Sequence, residues 1–163
     1  MFKKAIIRQL SKANKNKQPE ITPERRDSVA ILSLYEKDSE LQELKAELEQ
    51  LGKSPRLLAF VNQVDKNEEY PSHTFNSKHI GLTGNILSEE IQYFTKQHYD
   101  YLICLDDSGN AFIKYLLSKT SAQHRIGFYN SNFEGLIDFM IKTEPEHSPI
   151  NELLKYMKMI KND

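Results

Sequence analysis

From Ser28 onward, short continuous apolar runs alternate with longer stretches in which apolar residues recur every three or four positions. Val29-Ala30-Ile31-Leu32-Ser33-Leu34 is nearly all apolar and lacks period-2 alternation, the pattern of a strand covered on both faces. The next segment changes period: Leu41, Leu44, Leu48 and Leu51 fall on one helical face among Glu43, Lys45, Glu47 and Glu49. Asp38 or Ser39 is placed to cap this helix, and Gly52 stands where a left-handed residue closes one. Pro55 then precedes Arg56-Leu57-Leu58-Ala59-Phe60-Val61, a second buried strand, at a spacing that suits a right-handed crossover.

The rhythm fades between Asn62 and Leu87, where one short strand is expected near His79 to Leu82. Ser88, with Glu89 and Glu90 behind it, opens a helix that carries Ile91 and Phe94 inward. Tyr101 to Leu105 reads as a third buried strand ending in Asp106-Asp107-Ser108-Gly109-Asn110. A helix with Phe112, Ile113, Leu116 and Leu117 follows, then a strand from His124 to Phe128. Leu136 to Ile141 is the expected last strand, with Asp138 its awkward member, and Ser148-Pro149 announces a closing helix through Leu153, Leu154, Met157 and Ile160. Five to six strands alternating with about four helices predict an α/β fold: a three-layer, mostly parallel, Rossmann-like sheet forming one domain over residues 25–163.

Residues 1–24 read differently. Phe2, Ile6 and Leu10 make a short apolar stripe beside Lys3, Lys4 and Arg8, and the polar stretch from Ser11 through Pro23 reads as linker. Core packing is expected to start near Arg25. The overall charge of −1 is unevenly spread: residues 1–28 hold eight basic side chains against three acidic ones, leaving the rest of the chain about −6. Lys3, Lys4, Arg8 and Lys12 are therefore candidate contacts for an anionic partner, whether nucleic acid, a lipid surface or an acidic protein. A second copy of the chain is the other partner left open.

The remaining totals narrow the class. With 163 residues the chain can bury roughly two thirds of its unfolded surface, and a single cysteine, Cys104, excludes a disulfide framework. The start lacks the apolar core of a signal peptide, and no run reaches membrane-spanning length, so a cytoplasmic protein is expected.

In doubly wound sheets ligands bind beyond the carboxyl ends of the strands. That rule gathers Glu36, Asn62, Asp106, Asp107, Ser108 and Asn130 as ligand-binding candidates. The acidic turn is the most conspicuous, yet capping of the next helix by Asp107 or Ser108 explains the same residues. Known chemistries fit poorly. A phosphoacceptor receiver would need an acidic pair after the first strand, where the chain has Leu34-Tyr35-Glu36, and a haloacid-dehalogenase-like phosphatase needs its aspartates one residue apart rather than adjacent. Gly81-Leu82-Thr83-Gly84 lacks the Lys-Ser/Thr ending of a phosphate loop and the third glycine of a dinucleotide fingerprint. His73, His79, His98, His124 and His147 have no recurrent zinc spacing, Cys104 lies inside a buried strand, and no serine sits in a Gly-x-Ser-x-Gly elbow. No catalytic residue, metal or cofactor is assigned.

Tyr99 to Phe128, reading YDYLICLDDSGNAFIKYLLSKTSAQHRIGF, resembles a stretch in the N-terminal half of heptosyltransferase-like glycosyltransferases. Tyr99, Asp100, Arg125, Gly127 and Phe128 carry the likeness. It implies one half of a two-half Rossmann-like architecture, whose donor site lies mainly in the half this chain lacks. The Gly-rich first loop of that family is replaced here by Tyr35-Glu36-Lys37-Asp38. The whole chain also resembles a short uncharacterised family with a basic N-terminal arm. The reading that follows is a non-catalytic cytoplasmic binding or interaction protein; the alternative is a small ligand-binding domain or enzyme of nucleotide-sugar ancestry.

Overall fold

The computed structural model describes Lys4, Ile7, residues 28–144, Glu146 and residues 148–161. Its centre is β1 (Val29–Leu34), every residue of which is buried, as the unbroken apolar run requires. β1 is flanked by β2 (Arg56–Phe60) and β4 (His98–Cys104), with β3 (Thr74–Phe75), β5 (Ser121–Phe128) and β6 (Phe139–Ile141) completing a six-stranded sheet in the order β3-β2-β1-β4-β5-β6. Every neighbouring pair is parallel. This is the strand order of dinucleotide-binding sheets, in which the crossovers reverse direction between β1 and β4.

Helices cover both faces. On one, α1 (Asp38–Gln50) and α4 (Pro149–Lys161) bring Leu41, Leu44, Leu48, Ile150, Leu153 and Met157 onto Val29, Ile31, Ile103 and Ile126. On the other, α2 (Glu89–Lys96) and α3 (Ala111–Lys119) place Ile91, Phe94, Phe112 and Leu116 against Ala30, Leu32, Phe60 and Leu102. Alternate residues of β1 thus serve opposite layers, which is why its sequence shows no polar period. The helix ends follow local chemistry. Gly52 (φ 81°) closes α1, with Lys53 N–H donating to Leu48 O and Gly52 N–H to Glu49 O, both at 3.0 Å. Ser88 Oγ accepts from Ile91 N–H at the start of α2, and Ser148 Oγ from Asn151 N–H at the start of α4, each at 3.4 Å.

Several expectations are corrected. Residues 79–82 form no strand; Ile80 makes only an isolated antiparallel bridge with Ile86, and the extra strand is the two-residue β3. Asp38 caps nothing with its side chain and instead meets His73 Nε2 at 2.9 Å. Leu51 lies past the end of α1 and is half exposed. β6 begins only at Phe139, because Leu136 and Ile137 turn into the core and Asp138 accepts from Arg125 N–H at 2.9 Å.

The expectation that core packing starts near Arg25 gives way at Ile7. That residue is helical, completely buried, and belongs to the cluster under α2 and α3, whereas Lys4 is exposed. The apolar stripe at Phe2, Ile6 and Leu10 and the linker from Ser11 to Pro23 lie outside the described residues.

Candidate functional site

The reversal between β1 and β4 puts two turns side by side at the carboxyl edge: a 3-10 turn, Tyr35–Lys37, and the acidic turn after β4. In the acidic turn Asp106 is fully buried. Its Oδ1 accepts from Ser108 N–H at 2.8 Å and Ser108 Oγ at 2.5 Å, and its Oδ2 from Asn110 N–H at 2.8 Å. The helix cap is Asn110, whose Oδ1 accepts from Phe112 and Ile113 N–H at 2.9 and 3.2 Å, so neither Asp107 nor Ser108 has the capping role expected of it. Asp107 faces outward, with Lys37 Nζ 2.9 Å from its Oδ1 and also donating to Leu105 O at 3.3 Å. Lys37 therefore ties the β1 turn to the β4 turn across the reversal point.

A third loop locks onto the same turn. Asn130 Nδ2 donates to Asp107 O, and Asn130 Oδ1 accepts from Asn132 N–H at 2.8 Å. Gly109 (φ 77°) lies against Asn132, so close that a Cβ added there would stand 2.8 Å from the Asn132 side chain.

Among the described residues, a groove lies on each side of this lock. The first, about 410 Å³, is lined by Tyr35, Glu36, Asn62, Gln63, Glu68 and Tyr70 among others. Tyr35 and Tyr70 meet edge to face at 5.3 Å, Tyr35 OH donates to Glu68 Oε1 at 3.4 Å, and Asp65 N–H donates to Tyr70 OH at 2.8 Å. Desolvation, with the neighbouring carboxylates of Glu68 and Asp38, pushes the Tyr35 phenol above its ordinary pKa, so it is a neutral donor here. The second groove, about 370 Å³, is lined by Lys37, Glu40, Asp107, Tyr129, Lys142 and Pro149 among others. Lys142 Nζ lies 4.9 Å over the Tyr129 ring.

The six candidates are thus divided. Glu36 and Asn62 share the first groove, Asp107 borders the second, and Asp106, Ser108 and Asn130 hold the turns between them. Glu68, Tyr70 and Lys142 had no sequence signal, since each sits in a polar stretch beside a proline or a strand end. Of the basic candidates, Lys4 is exposed, while Lys3, Arg8 and Lys12 lie outside the described residues.

Residues 1–160 match the model of a family described as a family of unknown function (DUF6913). The chain belongs to that family. No curated protein and no solved structure matches it. Membership in DUF6913 agrees with the resemblance to a short uncharacterised family, and the comparisons find no likeness to glycosyltransferases. The residues that carried that likeness have structural work in this DUF6913 member. Tyr99 OH donates to Phe94 O at 2.8 Å, Asp100 Oδ2 accepts from Ser28 N–H at 3.0 Å, and Arg125 Nη2 donates to Thr120 O at 2.8 Å. A Cβ on Gly127 would lie 2.6 Å from Ile137, and Phe128 is buried. These are packing and hydrogen-bonding roles, and a shared fold position does not by itself imply a shared activity.

Among the described residues no three or more His, Cys, Asp or Glu side chains are grouped to hold a metal ion, and no helix is long and apolar enough to cross a membrane. Burial first, and then the Asp106 carboxylate, drive the Cys104 thiol far above its usual pKa, so no thiolate is available. Among the described histidines, His98 is buried at the amino end of β4 with Nδ1 2.6 Å from Ser121 Oγ, and desolvation lowers its pKa below 6.5. A neutral, buried imidazole stabilises the fold fully above pH 6.5, the ordinary value, and loses that contribution as pH falls towards the lowered folded value. The urea midpoint should therefore fall between pH 7.5 and 5.5, and His98→Asn should flatten that slope; an unchanged slope would remove His98 as its source.

Proposed function

We propose that this chain is a non-catalytic cytoplasmic binding protein that holds a small ligand at the carboxyl edge of the sheet, in the groove lined by Glu36 and Asn62. The observation that carries this reading is the condition of the acidic turn. An acid, base or nucleophile must reach substrate, but the Asp106 carboxylate is sealed and accepts three hydrogen bonds, and Asp107, which does face outward, is held in an ion pair with Lys37. Glu36 and Asn62, by contrast, are both exposed, and they line an open groove with two aromatic rings. Carboxylate, amide and tyrosine hydroxyl groups over aromatic faces suit a polar ligand bearing hydroxyl or amino donors. Residues 1–24 then act as a basic arm anchored through Ile7, which is consistent with the exposure of Lys4 three positions earlier.

The strand order favours one second reading, a small ligand-binding domain or enzyme of nucleotide-sugar ancestry, because sheets of this order bind nucleotides at the same edge. A thermal-shift screen of the whole chain against nucleotides, nucleotide sugars, free sugars and amino acids separates the two. A stabilising free sugar or amino acid whose effect disappears in the Glu36→Ala/Asn62→Ala double variant supports the proposal. Stabilisation by nucleotide sugars, with nucleotide released over time, would overturn it in favour of the second.

A further inference from the structure

β2 is paired on its outer side only at its end. β3 aligns Thr74 with Ala59 and Phe75 with Phe60, and Ala59 N–H donates to His73 O at 2.9 Å. Backbone groups of a strand alternate between its two neighbours, so the N–H and C=O of Leu57, two residues before Ala59, point the same way as those of Ala59. Among the described residues no strand meets Leu57 on that side. An open edge with unpaired backbone groups is a template for one more extended chain.

The surface beside this edge is shaped and charged. A groove of about 590 Å³ runs along Arg56, Leu57 and Leu58 to α2. Leu58 and Phe94 are buried beneath it, and the Tyr93 ring stands half exposed at its side. Of its basic groups, Arg56 keeps its charge while its Nη2 donates to Tyr93 OH at 2.8 Å and its guanidinium lies 4.3 Å over the ring, and His73 pairs with Asp38. Glu89 and Glu90, both exposed, have no ion-pair partner among the described residues. With Arg56 set against Glu89 and Glu90, the groove keeps a formal excess of one negative charge, carried by the two exposed glutamates on the α2 side.

We propose that this edge and groove form a docking site for an extended basic segment of another protein. The segment adds a strand beside Leu57, lays alternate apolar side chains over Leu58 and Phe94, and sets lysine or arginine against Glu89 and Glu90. Main-chain bonds to the edge supply affinity without sequence preference, while the apolar alternation and the charges select the partner.

The test uses the full chain and two fluorescein-labelled octapeptides, one alternating valine with lysine and the other valine with glutamate. Fluorescence anisotropy should show the lysine peptide binding at least tenfold more tightly, and the E89K/E90K variant should reverse the preference. Hydrogen exchange at the Leu57 amide should be rapid in the free protein and slow at least tenfold with the lysine peptide bound. If E89K/E90K unfolds, E89Q/E90Q replaces it, and the preference should then fall to near equality. Absence of binding, equal binding of both peptides to the unaltered chain, or an unchanged Leu57 amide would each overturn the proposal. A Leu57 amide already protected in the free chain would overturn it too, because the edge would then be filled by the protein itself.

Discussion

Asp106→Ala should destabilise the protein by about 3 kcal/mol, seen as a lower urea midpoint and a melting temperature reduced by roughly 6–12 °C. The carboxylate is completely buried and takes three hydrogen bonds, from Ser108 N–H, Ser108 Oγ and Asn110 N–H. Alanine takes away the one buried acceptor that these donors, on exposed Ser108 and half-buried Asn110, share. It also frees Asn110, whose Oδ1 starts α3, and slackens the turn that Lys37 and Asn130 hold from either side. Asp106→Asn should recover about half the loss, because one oxygen can still serve Ser108 while the amide nitrogen faces the Asn110 N–H. A neutral Asp106→Ala variant would mean that the carboxylate is not needed by the fold, and the acidic turn would return as a candidate for chemistry.

Ile7→Ala should cost about 2–4 kcal/mol, the usual loss for truncating a fully buried isoleucine. Removing residues 1–24 should cost at least as much, since the deletion takes the whole side chain out of the cluster that also holds Phe60, Phe94 and Phe112. This reverses what a detached arm would do, namely leave melting unchanged. Thermal denaturation of the two variants beside the unaltered chain is the measurement, and coincident melting curves would place the arm outside the core.

The elements that could be read ahead of the structure share one property, that neighbours in sequence decide them. β1 and β4 announce themselves as apolar runs, Gly52 closes the chain just past α1, and α4 begins at Ser148-Pro149. The misses arise where no local period exists. β3 has two residues, too few to show alternation, and exists because β2 offers it an edge. β4 starts at His98, three residues ahead of its apolar run, because Asp100 finds Ser28 and His98 finds Ser121. Within the acidic turn Asp106, Asp107, Ser108 and Asn110 can all cap a helix, and only the path of the backbone selects Asn110.

The sequence by itself determined the α/β class, the limits of most helices and the absence of a complete known catalytic motif, because these depend on side-chain period and spacing along a few turns of chain. Tertiary structure alone decided the order β3-β2-β1-β4-β5-β6 and the place of Ile7 in the core. It alone set Lys37 against Asp107 across the reversal point, and separated Glu36 and Asn62 from the acidic turn. Those facts depend on which strands lie side by side and which way each residue faces. Contacts between residues far apart in the chain leave no local pattern, so they become legible only once the sheet is assembled.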